Sequence, residues 1–216
     1  APKTVNALMI IGSGVDVTGA GALTVAAGLV INVEGFNTIA NNLIFGATGT
    51  AEAVLLVEAA SRLAASGTLT TTGAVRKDRN GTLVLSNNNT GLTNTITVGD
   101  GVLEISNAGA LGTTAGATTV HAMAALVIDA TSGPLNLGAE AITINGTGVD
   151  NDLFGALKVV NGDVTIGTGA TVFTHGGATA IGVETGRTLT LNTQIATNNF
   201  TKMGAGTLEL GGTTAN

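Results

Sequence analysis

The sequence predicts an all-β chain wound as a β-solenoid, and three observations carry that expectation. The apolar material is small and aliphatic: 44% of the chain is hydrophobic, with 33 Gly and five Phe but no Trp or Tyr. Only 10% is charged, against about 25% in a typical domain. Short alternating apolar segments, separated by Gly, Asn or Asp, recur along the chain. A compact globule fills its centre with large side chains. Small β-branched residues with Gly at the corners suit a narrow core lined by short strands.

The segments themselves are Leu83-Val84-Leu85, Ile96-Thr97-Val98, Leu103-Glu104-Ile105, Leu126-Val127-Ile128, Ile142-Thr143-Ile144, Val164-Thr165-Ile166, Leu189-Thr190-Leu191 and Leu208-Glu209-Leu210. Leaving out Ile96, they start 16 to 25 residues apart. That is long for a hairpin arm and right for one coil of a solenoid with several strands per turn. About ten coils at roughly 4.8 Å per stacked strand would make a rod on the order of 50 Å long. The flanking Leu, Val and Ile point inward, and the central Thr points outward, where it stacks on the Thr of the next coil. Thr50–Gly67 reads in two ways. Ala53–Val57 fits a buried strand, the favoured reading; Thr50 as N-cap, Glu58–Arg62 at i,i+4 and Gly67 as C-cap would suit a helix.

The segment Lys77–Gly112, KDRNGTLVLSNNNTGLTNTITVGDGVLEISNAGALG, resembles the autotransporter-associated β-strand repeat, also called the passenger-associated transport repeat. The match runs through Lys77, Gly81, Thr82, Leu83, Leu85, Ser86, Thr90, Val98, Gly101, Leu103, Ala110, Leu111 and Gly112. A second copy starts at Lys202, KMGAGTLELGGTTAN. The resemblance implies a right-handed parallel β-helix, exported by a Gram-negative bacterium as part of a long surface protein. It brings no catalytic residues with it.

At an offset of 88, Asn6, Leu8 and Ile10 fall on Asn94, Ile96 and Val98, and Val15-Asp16-Val17 falls on Leu103-Glu104-Ile105. The N-terminal stretch therefore looks like the missing half of the second copy. The expectation is a single solenoid segment over 1–216 with open ends, one period of a tandem array or filament. Leu208 and Leu210 would meet Val15 and Val17 of the next copy, so the expected partners are copies of the chain itself, end to end.

Chemistry-bearing motifs are few. With no Cys there are no thiolate metal sites. A net charge of −6 argues against nucleic acid, and no apolar run reaches the length of a membrane span. The chain opens at Ala1-Pro2-Lys3 without a signal peptide, which reads as processing or a cut from something longer. Asp150 and Asp152 form a weak calcium candidate better read as a polar turn. His121 and His175 lack partners at ligand spacing and read as surface or turn residues. Arg76-Lys77-Asp78-Arg79 reads as a solvated loop, the Asn runs as coil corners, and the five Phe as core or stacking residues. No cofactor and no enzymatic activity are expected, because the acids are scattered and no aromatic subsites exist. The leading expectation is a structural stalk or filament module, extracellular or at the bacterial surface. Its rival is an adhesin that recognises a surface or glycan through the outer face.

Overall fold

The computed structural model describes residues 1–149, 154–167, 172–175, 178–195 and 199–211, with the side chains of 172–175 and of Gln194 left aside. Every regular element among them is a strand, and every strand pairing is parallel. The chain is a β-solenoid of about nine coils. Each coil visits three faces in order, here called A, B and C. Face B stacks nine strands, from Leu8–Ile10 to Gln194–Ile195, and face C nine, from Asp16–Val17 to Phe200–Met203. Face A carries five strands from Lys3–Val5 to Gly91–Leu92, and four more from Leu135–Asn136 to Thr207–Leu210. Between the two groups the coil crosses face A without a strand, through turns closed by Ala110 N donating to Asn107 O and Gly112 N donating to Gly109 O.

Strand register sorts the side chains into columns. On face B the inward column runs Val30, Leu55, Lys77, Val98, Val120, Ile144. The outward column beside it runs Val54, Arg76, Thr97, Thr119, Thr143. The expected Thr-on-Thr stacking is thus realised on face B, and again where Thr165 meets Thr190. Of the sixteen flanking residues that the alternation assigns to the core, Leu83, Leu85, Ile96, Val98, Leu103, Ile105, Leu126, Ile128, Ile142, Ile144, Val164, Ile166, Leu189 and Leu191 are buried. Leu208 packs only partly against the core, and Leu210 is 51% exposed. Both lie in the outermost strand of their sheet, so the reason is the lack of a covering strand rather than a wrong register.

Thr50–Gly67 settles as two strands, Ala53–Val57 and Arg62–Ala65, on faces B and C. Its pattern alternates buried and half-buried residues with period 2, which a helix would not. Three other expectations change. Segments thought to mark one face are spread over all three, because spacings such as the 16 residues from Leu126 to Ile142 are shorter than a coil and move to another face. Phe45 is fully buried, but Phe36 is 67% exposed. The Arg76–Arg79 cluster is not a solvated loop, since Val75–Asp78 is a strand and Lys77 is fully buried.

Corners are fixed by side-chain amides and by Gly. Asn89, buried, accepts from Leu69 N at 2.9 Å and donates to Ala110 O at 2.8 Å, tying three successive coils together. Gly28 has φ +72°, and a Cβ there would lie 2.0 Å from Glu52 O, so only Gly allows the next coil to approach.

Candidate functional site: the Lys77 corner and the open edges

Lys77 follows Val75 at period 2 and therefore enters the core from face B. Its ammonium turns back to the corner between faces B and C. There Nζ donates to Gly81 O and Asp100 O, each at 2.6 Å, and to Arg79 O. Arg79 has φ 70°, a left-handed conformation unusual for a side-chain-bearing residue, which aims its carbonyl at the ammonium. Gly101, also at positive φ, passes so close that a Cβ would lie 2.4 Å from both Arg79 O and Lys77 Nζ. Burial pulls the Lys77 ammonium down to about 8, while the carboxylates of Asp100 and Asp78 act in the opposite direction.

The second motif copy builds a related corner, sharing the acceptor equivalent to Arg79 O. Lys202 lies in an inward column, in register with buried Ile181. Its Nζ donates to Gly204 O at 2.7 Å and Met203 O at 2.9 Å. Gly204 has φ +74° and occupies the place of Arg79. The counterpart of Asp100 would belong to a further coil.

Glu140 is the other buried ionisable group of note, 4% exposed, with Oε1 accepting from Thr118 Oγ1 at 2.9 Å. Burial raises its carboxyl to about 7 from an ordinary 4.5, with the Thr118 hydrogen bond opposing. Between those two values the native state keeps a proton that the unfolded chain has released. Stability therefore falls as pH rises from about 4.5 to about 7 and levels off above. Glu140→Gln keeps an acceptor for Thr118 and should raise stability by about 2 kcal/mol at pH 8 while leaving pH 4.5 unchanged. Urea denaturation of both proteins at the two pH values checks this; an equal effect at both would contradict it.

Among the described residues, the outermost strands at both ends of the solenoid are paired on one side only. They are Lys3–Val5, Leu8–Ile10 and Asp16–Val17 at one end, and Gln194–Ile195, Phe200–Met203 and Thr207–Leu210 at the other. Val15 and Val17 pack partly against the core, and Asp16 accepts from Thr38 Oγ1. Leu208 and Leu210 flank Glu209, which accepts from Thr190 Oγ1 at 3.0 Å. The residues expected to join modules therefore all lie on open edges, at opposite ends of the rod.

Asp150 and Asp152 lie outside the described residues, as does the His175 side chain; His121 is exposed in a turn. Among the described residues, no cluster of three His, Asp or Glu could hold a metal, and no helix is long and apolar enough to cross a membrane. The chain takes a longer path between Ala141–Ile144 on face B and Leu157–Val160 on face C, while the face C ladder stays continuous. Gly146 O accepts from Ala180 N at 3.1 Å, and a Cβ on Gly182 would lie 1.8 Å from Phe154 O. Phe154 thus lies against the outer side of this face at Gly182. No family model matches the chain, and no curated protein or solved structure is significantly similar to it.

Sequence reading missed Lys77 and Glu140, though the signal was present. Val75 and Lys77 share a parity, as do Glu140, Ile142 and Ile144. Weighing charge above parity places Lys77 in a solvated loop instead.

Proposed function

We propose that this chain is a structural module of a secreted or cell-surface bacterial protein, a length of β-solenoid that serves as stalk or filament. The observation that carries the reading is the pair of nine-strand ladders running the whole axis and open at both ends. Axial load on such a rod is shared by backbone hydrogen bonds in every coil, and its open edges favour covering by a further coil. The resemblance of Lys77–Gly112 to the autotransporter-associated repeat supports export, right-handed winding and a place outside the outer membrane. The role is mechanical, with no catalytic step and no cofactor.

The placement of Phe154 on the outer side of face C favours a second reading, an adhesin in which Phe154 helps present a binding surface for a glycan or host surface.

Two copies fused directly, Asn216 to Ala1, test the structural reading. Electron micrographs should show one straight rod about 90 Å long, twice nine coils at roughly 4.8 Å each. Two beads joined by a flexible joint would contradict it. Specific retention on a glycan array, lost on Phe154→Ala, would move the weight to the adhesin.

A further inference from the structure

The open edges do not merely face outward; they specify how a second copy must sit. At one end the outermost strands are Lys3–Val5 on face A, Leu8–Ile10 on B and Asp16–Val17 on C. At the other they are Gln194–Ile195 on B, Phe200–Met203 on C and Thr207–Leu210 on A. Each end is a spiral ramp with a step of one coil, about 4.8 Å. The step lies at the passage from C to A at the first end and from A to B at the second. Two ramps mesh only when their steps coincide.

Resting on the structural reading above, we infer that a second copy of this chain stacks on the first turned by one face, about a third of a revolution. Asp16–Val17 of the second copy then covers Thr207–Leu210, Leu8–Ile10 covers Phe200–Met203, and Lys3–Val5 covers Gln194–Ile195.

The motif copies arrive at the same turn independently. Thr82–Leu85 lies on face C and is covered there by Gly101–Ile105. Its equivalent in the second motif copy, Thr207–Leu210, lies one face further round. The stretch that matches Leu103–Ile105 is Val15–Val17, whose strand lies on face C of its own copy. Covering Thr207–Leu210 with it requires the same rotation.

The rotated contact also completes the Lys202 corner. Lys77 is covered by Val98 and takes Asp100 O from the next coil. By the 88-residue offset those become Ile10 and the Gly12 carbonyl of the second copy, which supplies the third acceptor for Lys202. Leu208 and Leu210 meet Val15 and Val17. Without rotation, Thr207–Leu210 would lie against Lys3–Val5, whose Lys3 shares the inward column of buried Leu23. The cost of the rotated register is Glu209 beside Asp16, since like charges directly opposite repel.

The chain has no Cys, so introduced pairs report the register. Neighbouring parallel positions lie within disulfide reach. Under mild oxidation, Glu209→Cys mixed with Asp16→Cys should give a covalent dimer, and Glu209→Cys mixed with Thr4→Cys should not. Asp16→Asn in the otherwise native chain should tighten self-association by roughly two- to fivefold in sedimentation. Cross-linking of the Thr4 pair alone would overturn the rotation and leave end-to-end stacking standing. Oligomers that form with neither pair linked would overturn both the rotation and the end contact. A strictly monomeric native chain at millimolar concentration would remove the contact altogether.

Discussion

Replacing Ile144 with Asp is expected to cost about 4 kcal/mol or more and to leave much of the chain unfolded. Ile144 is fully buried in the face B column, in register with Val120, which is itself fully buried. The substitution removes a large apolar side chain, worth about 2 kcal/mol. It also moves a carboxyl from water into the inward column beside Val120, at a further several kcal/mol. Thr143→Asp, one residue away and half-buried in the outward column, should change stability by less than about 1 kcal/mol. The contrast is the test of register. Urea unfolding followed by circular dichroism should separate the two variants widely, and similar midpoints would show that the inward and outward columns are wrongly assigned.

The second large effect is at Lys77. Lys77→Met keeps the length and apolar stem but leaves Arg79 O and Asp100 O without the ammonium that reaches them. Gly81 O keeps its bond from Val102 N. Losing the partner of a buried acceptor costs about 1–3 kcal/mol, partly offset by release from holding a charge in the core. We expect a net loss of about 2–3 kcal/mol at pH 7. The native state sheds the Lys77 proton near pH 8, before the unfolded chain does near 10.5. The wild-type protein therefore gains stability as pH climbs through that window, whereas Lys77→Met lacks that gain. Denaturant midpoints at pH 7 and 9.5 measure both effects. A variant as stable as the wild type at pH 7 would mean that the ammonium does not organise this corner.

The fold was largely legible because alternation with period 2 survives in short segments even when the chain is poor in charge. Ala53–Val57 shows the strength of that signal: helix caps stand nearby, yet Val54 and Leu56 lie outward and Ala53, Leu55 and Val57 inward. The assignment of segments to faces was not legible, since face depends on accumulated coil length, and turns such as Asn107–Gly112 bury Ala110 and Leu111 and cross a face without the period-2 pattern of a strand. The open edges could be named in sequence from the split motif. Their rotation could not, because it appears only when Thr82–Leu85 and Thr207–Leu210 are seen on different faces. Lys77 and Glu140 stayed hidden for a chemical reason: the usual cost of burying a charge outweighs parity unless three carbonyls or a hydroxyl are known to be waiting.

We propose that this chain is a rod that continues along its own axis. Small-angle X-ray scattering over a concentration series, analysed for length and cross-section separately, tests it most directly. The cross-section should stay constant while the length grows in steps of about 43 Å, nine strands at roughly 4.8 Å each. A cross-section that widens with concentration at constant length would mean that copies meet side by side, and would contradict it.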